Sequence, residues 1–427
     1  MLWPKNLVLR LIAAIILLLG VFTIYNLPPV QAKFGWRVAE LFARFKYAIS
    51  PPEEIVFVPE MDGILPARTT PSGSSPLDAY SVPHTNIPTT RQPTSSPAAE
   101  KTPMPNSIQL AGFRHEYQTW NNCGPATMAM ALSYWGWEGD QGPIAAFTKP
   151  NSRDKNVMPY ELAAYVEVET QINAVFRVGG DIEFLKRALA AGFPIIIEKG
   201  FEGREFDGWM GHYVLVTGFN DEDQLFTLQD SYYGPDQVMG YKDLESYWRA
   251  FNFTYLLVYP PGRQEEIAGV LSLHTDKEYN FNYAAQKAYN EIYTLGGRDL
   301  FFAWFNRGTN LVELQDFVGA AVAYDQAFAL YPTIQKEDRP WRIMWYQTGP
   351  YSAYYYTQRY QDVINLATTT LEAMSEPVLE ESYYWRALAR EALGEKEGAS
   401  KDLQSALDYH PGFEPALLHF QQMGIAP

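Results

Sequence analysis

The chain has 427 residues, a formal net charge of −16, 47% hydrophobic and 15% aromatic residues, and one cysteine. That length calls for two or three domains, and the acidic balance excludes the basic surface a nucleic-acid partner requires. A lone Cys123 excludes an intrachain disulfide framework and any CxxC-type zinc or redox site.

Lys5 and Arg10 precede an apolar run. Residues 7–27 are long enough to cross a bilayer as a helix, with Arg10 able to snorkel from one end. Residues 1–32 are therefore expected to be a signal-anchor, giving a single-pass cell-membrane protein with its working domains extracytoplasmic. The rival is a cleaved signal peptide and a secreted chain, since Val30-Gln31-Ala32 has the small-residue spacing of a cleavage site. Over residues 33–50, Phe34, Val38, Leu41, Phe42 and Phe45 recur at helical spacing, as in a juxtamembrane amphipathic helix resting on membrane lipid or a short helix packed on the protein itself. Residues 51–106, rich in Pro, Ser and Thr from Pro66 to Pro105, are expected to be a linker.

Order is expected to return at Ser107. A short strand leads into Gln118-Thr-Trp-Asn-Asn-Cys123-Gly-Pro-Ala, and Met128, Leu132 and Trp135 continue at helix spacing. Residues 160–168 and 181–191 read as helices. Residues 174–178, 194–198, 212–219, 224–229 and 254–259 read as strands, which makes 107–260 an α+β domain. Asn220-Asp221-Glu222-Asp223 is a turn cluster between two strands. A regular hairpin there puts Tyr213, not His212, opposite Asp230; one bulge or a three-residue loop is needed to bring His212 and Asp230 onto one face.

Three blocks in this order, the Gln118–Ala126 segment, Gly211-His212-Tyr-Val-Leu-Val-Thr-Gly218 and Gln229-Asp230-Ser231, resemble the bacteriocin-processing (double-glycine) cysteine peptidases. The likeness is to the stand-alone, family-thirty-nine-like branch of that papain-like group and spans about a third of the chain. It implies an endopeptidase with Cys123 as nucleophile, His212 as proton carrier, Asp230 orienting the imidazole, and Gln118 with the Cys123 backbone N–H stabilising the oxyanion. A thiol at a helix start beside an imidazole suits these roles, because both favour the thiolate. One departure is the five-residue step from Gln118 to Cys123, where the leader-processing branch and papain tend to use six. No His/Asp/Glu cluster has metal-ligand spacing, Ser231 lacks a nucleophile elbow, and no cofactor is implied.

After a linker at 261–277 the sequence changes to helices with small residues at fixed offsets. Trp304, Gly308, Phe317, Ala320, Tyr324, Ala327 and Pro332 stand where a tetratricopeptide repeat has them. Ala387, Ala399, Leu403, Ala406 and Pro411 repeat the pattern, with Tyr354, Tyr360 and Ala367 as a divergent middle unit. The chain is thus expected to be a papain-like α+β cysteine peptidase followed by all-α repeats over 278–427 that recruit a protein substrate or partner. The alternatives are a catalytically silent binding protein and a thiol-dependent acyl or amide transferase on the same fold.

Overall fold

A computed structural model describes residues 28–60, 104–151, 153–202 and 208–424, with scattered helical positions between 13 and 23. After helix α1 (Pro28–Ile49) come β1 (Ser107–Gln109), α2 (Cys123–Tyr134), α3 (Gln141–Thr148), α4 (Pro159–Glu169), β2 (Asn173–Arg177), α5 (Ile182–Ala190), β3 (Ile195–Glu202), β4 (Trp209–Asn220), β5 (Leu225–Asp230), β6 (Gly234–Gly240), α6 (Tyr241–Arg249), β7 (Tyr255–Tyr259) and α7 (Gln264–Leu271). The strands form one seven-stranded sheet in the order β2-β7-β3-β4-β5-β6, with β1 beside the far end of β4. Every pairing is antiparallel.

Strand alternation gives the sheet two buried faces. Ile195, Ile197, Val214, Val216 and Leu257 face α5, α6 and α7 in one core, whereas Ile196, Tyr213, Leu215, Leu256 and Val258 face α2 and α4 in the other. Helix α2 is buried along Gly124–Leu132 because it is covered by the sheet on one side and by α3 and α4 elsewhere. Gly124 permits the closest approach: a Cβ there would meet the Tyr213 ring at 3.3 Å.

The C-terminal part is helical: α8 (Lys277–Glu291), α9 (Gly297–Glu313), α10 (Phe317–Leu330), α11 (Ile343–Tyr346), α12 (Gly349–Tyr356), α13 (Tyr360–Ala373), α14 (Glu380–Ala392), α15 (Lys396–Tyr409) and α16 (Glu414–Met423). Asp276 and Asp316 cap α8 and α10 by accepting from Tyr279 and Gly319 N–H groups. Small residues set the helix spacing. A Cβ on Gly308 of α9 would lie 2.7 Å from the Tyr324 ring of α10, and Ala320, Ala327, Ala367, Ala387, Ala399 and Ala406 are all buried.

Sheet and helices share a core. Trp209 of β4 and Phe251 stack at 5.8 Å and pack against Phe302 and Tyr346 of the helical part. Buried polar contacts cross the same boundary: Arg342 Nη1 donates to Trp209 O (2.7 Å), Asn306 Nδ2 to Arg249 O (2.7 Å), and Asn252 and Asn310 exchange amide hydrogen bonds (2.8 and 3.0 Å). Residues 51–60, assigned by composition to a linker, also lie on the helical part, with Phe57 in the shared core.

The expected single-pass membrane anchor is corrected. Among the described residues no helix is long and apolar enough to cross a membrane. The apolar run at 7–27 falls largely outside the described residues. Helix α1 has the length, but it carries Arg37, Glu40, Arg44 and Lys46, and Lys46 Nζ donates to Glu372 O (2.6 Å) and Met374 O (2.5 Å) of the helical part. The cell-membrane location drawn from that anchor is withdrawn with it.

Because Trp209 is 2% exposed and touches both parts, Trp209→Ala is expected to cost about 3–5 kcal/mol. In denaturant titrations, far-UV and tryptophan signals should fall in one transition. Two separated transitions in the wild-type chain would show that sheet and helices unfold independently.

Candidate active site

Cys123 opens α2, so its sulfur stands where the first-turn N–H groups have no intrahelical acceptor and the helix dipole favours negative charge. The loop before it turns through Asn121, which adopts φ 55°. That left-handed turn is held from outside: Lys149 Nζ donates to Asn121 O at 2.9 Å and to Trp120 O at 3.4 Å. Gln141, the first residue of α3, braces the same loop. Its Oε1 accepts from Thr119 N (2.8 Å), Thr119 Oγ1 (3.0 Å) and Asn122 Nδ2 (3.2 Å), while its Nε2 donates to Glu116 Oε1 (2.7 Å) and Tyr117 O (2.9 Å).

His212 and Asp230 are brought together by an irregular ladder. Asn220 pairs with Leu225 and Gly218 with Thr227, but Val216 pairs with Leu228 and Leu215 with Gln229. Continued unchanged, the outer register would place Asp230 opposite Leu215, on the Tyr213 face. The bulge at Thr217 moves Asp230 opposite Val214, on the His212 face and diagonal to it. His212 Nε2 then meets Asp230 Oδ1 at 3.0 Å, with both residues at most 4% exposed. Asp230 Oδ1 also accepts from Tyr232 N (2.8 Å) and Tyr233 N (3.1 Å).

The Cys123 thiol lies beside the same imidazole, close enough that each shifts the other's pKa. Burial alone would raise the Cys123 pKa. The hydrogen bond and charge of His212, the Tyr213 backbone N–H and the charge of Lys149 outweigh it and hold the thiol below its usual value. Burial opposes the His212 cation, but hydrogen bonds to Asp230 and Cys123 hold its pKa above normal. Asp230 is likewise opposed by burial yet drawn down to about 2 by His212 and the Tyr233 and Tyr232 N–H groups. These directions favour a thiolate–imidazolium pair. Burial and the nearby Cys123 charge raise the Glu198 carboxyl well above its usual pKa, which disfavours a second anion near the sulfur.

Gln118 is clamped. Its N–H donates to Ser231 O (2.9 Å), and Ser231 Oγ donates to its side-chain Oε1 (2.9 Å). The carbonyl end of the amide is thereby fixed, and the NH₂ end has no hydrogen-bond partner among the described residues. Ser231 thus links Gln118 to the Asp230 strand.

Cys123, His212 and Asp230 are brought together, with His212 hydrogen-bonded to Asp230, and Gln118 is joined to the Asp230 strand through Ser231. Sequence reasoning missed Gln141, Lys149 and Tyr346, and named Ser231 without its link to Gln118. Tyr346 of α11 packs on Gly211, next to His212: a Cβ at Gly211 would lie 2.6 Å from Phe251 and 3.0 Å from Tyr346. The Gly211-His212 pair was visible in sequence, but nothing local marked its partners. Among the described residues no three His, Cys, Asp or Glu side chains converge to hold a metal ion.

Residues 103–256 match the model of the Peptidase_C39 like family. Among solved structures, a putative C39-like peptidase from Bacillus anthracis is similar at 17% identity, covering 36% of this chain and 96% of that one, with a TM-score of 0.29. A double glycine motif protease from an AMS/PCAT transporter, solved in complex with its leader peptide, is 18% identical over 35% of this chain and 91% of that one (TM-score 0.27). Xylellain, a cysteine protease from Xylella fastidiosa, is 14% identical over 37% of this chain and 87% of that one (TM-score 0.29). No curated protein matches.

Cys123 is the sole thiol, so iodoacetamide alkylation reports on it alone. Its alkylation rate should rise with pH through a midpoint below the ordinary thiol range. Asp230→Asn removes the anion that stabilises the imidazolium, so the midpoint should move up by roughly one unit. A wild-type midpoint at the value of a free thiol would contradict the thiolate–imidazolium pair.

Proposed function

We propose that residues 107–260 are a cysteine endopeptidase domain acting through Cys123, His212 and Asp230, and that residues 278–427 are tetratricopeptide-type repeats that bring a protein substrate or partner to it. The observation that carries this reading is the buried His212 imidazole, hydrogen-bonded to the Asp230 carboxylate and lying beside the Cys123 thiol at a helix start. The family match over 103–256 supports the same chemistry.

The thiolate attacks the scissile carbonyl carbon, and the negative charge moves to the carbonyl oxygen. The Gln118 Nε2 hydrogens and the Cys123 backbone N–H are the donors for that oxyanion. His212 gives its proton to the departing amine, leaving a thioester. It then takes a proton from water, whose oxygen attacks the thioester and releases the acid and the thiolate. Asp230 fixes the ring so that Nε2 carries its proton towards the carboxylate and Nδ1 faces sulfur.

The test is labelling of the full chain with an epoxysuccinyl cysteine-protease probe, followed by peptide mapping. Modification at Cys123, lost in His212→Ala, is expected; a folded chain that stays unlabelled would favour a silent binding protein. Cys123→Ala should abolish turnover on any peptide the parent cleaves. Gln118→Ala should lower kcat by about 10²–10³-fold while leaving the alkylation midpoint of Cys123 unchanged. A shift in both would mean that Gln118 supports the loop rather than the oxyanion.

A further inference from the structure

After a 3-10 turn at Pro52–Glu54, residues 55–60 cross the helical part as an extended segment, and 53–60 are held in the manner of a bound peptide. At one end Arg339 Nη1 donates to Glu53 O at 2.8 Å, and Lys336 pairs with the Glu54 carboxylate. Arg339 is pre-set for this by its own hydrogen bonds to Ile334 O (3.1 Å) and Pro332 O (2.9 Å). At the other end the Glu60 backbone N–H donates to Asp362 Oδ1 at 2.8 Å. Asp362 is 2% exposed and anchored through its second oxygen to Arg359 (2.6 Å). Arg359 in turn reaches Asp325 (2.8 Å), which accepts from the Tyr354 hydroxyl (3.0 Å). The helices therefore keep one buried carboxylate oxygen for a backbone N–H and one guanidinium for a backbone carbonyl, neither of which reads a side chain.

Between these clamps the segment alternates. Phe57 and Pro59 are buried, while Val58 (72% exposed) and Glu60 face outward. The Phe57 ring stands edge-on to Phe328 at 5.0 Å and tilted to Tyr354 at 6.1 Å. Backbone clamps plus a pocket for alternate side chains are the ordinary means of recognising an extended peptide. The hold is modest: one buried phenylalanine ring and an exposed ion pair work against the entropy lost in ordering each residue of the segment.

We propose that this groove is a recognition site for an extended segment of a partner or substrate protein, carrying an aromatic residue two positions before a proline and an acidic residue ahead of it. Residues 53–60 are its built-in competitor. This rests on the reading of the helical part as the recruiting element, and it says what that element recruits. The segment belongs to the same chain as the groove, so a ligand competes against an intramolecular occupant.

The probe is a fluorescein-labelled peptide of residues 51–60, PPEEIVFVPE, titrated by anisotropy into the full chain and into full chains carrying Phe57→Ala. The Phe57→Ala chain should bind the peptide at least about tenfold more tightly than the wild type. The same peptide with Phe57→Ala should not bind, and Asp362→Asn in the Phe57→Ala chain should weaken binding. Equal binding by both chains, or none by a folded Phe57→Ala chain, overturns the proposal. Should Phe57→Ala not fold, hydrogen exchange on the wild type decides. The Glu60 amide, which donates to Asp362, should exchange at least about a hundredfold faster than those of β5; exchange only on global unfolding would make the segment a fixed part of the core and overturn the site. None of these readouts needs turnover, and adding Cys123→Ala should leave them unchanged, so loss of peptide cleavage and loss of groove binding are separately visible.

Discussion

Side chains on a strand alternate between faces, so a histidine and an aspartate on neighbouring antiparallel strands meet only if the register between them has the right parity. In this chain the hairpin that joins β4 to β5 starts in the wrong one. The extra residue at Thr217 corrects it, and every later feature of the site follows from that correction. Thr217 is fully buried and tied on several sides: its carbonyl accepts from Leu110 N, and its hydroxyl accepts from Gln229 Nε2 at 3.2 Å. The bulge is thus locked by β1 on one side and by Gln229 on the other. It delivers Asp230 to His212 and Ser231 to Gln118 in a single step.

The helical part is joined to this arrangement. Gly211 lacks a side chain at the point where Phe251 and Tyr346 close on β4. His212 is therefore flanked by a residue whose packing is completed from the helical part. Deleting residues 261–427 would uncover Trp209, Phe251 and the buried Asn252 amide together. The loss would reach the site through β4, whatever the helices bind.

Much of the sheet was legible because its strands are apolar runs bounded by turn residues. The strands expected near 174–178, 194–198, 212–219, 224–229 and 254–259 appear within a few residues of those limits. β6 was missed because Gly234-Pro-Asp-Gln-Val-Met-Gly240 has no apolar alternation; it is an edge strand, mostly exposed, that owes its form to pairing with β5. The need for an irregular hairpin could be reasoned from parity, but not where the extra residue would fall. Gln141 and Lys149 were invisible, since an ordinary polar residue becomes a brace only through the loop folded over it. Residues 51–60 read as a linker for the same reason, because their order comes from the groove they occupy. The apolar N-terminal run lies largely outside the described residues, among which no helix is long and apolar enough to cross a membrane.

The pairing of Glu60 with Asp362 spans 302 residues of sequence. A ribosome adding ~5–20 residues per second would emit the second partner roughly 15–60 s after the first. During that interval the segment around Phe57 has nowhere to dock, and the His212 strand waits for Tyr346 to be made. Cys123, His212 and Asp230 are all translated well before the helices that pack against their strands. A nascent chain therefore passes through a stage with these three residues present but their support unmade. Full maturation of the site is tied to emergence of the helical part rather than to that of residues 107–260.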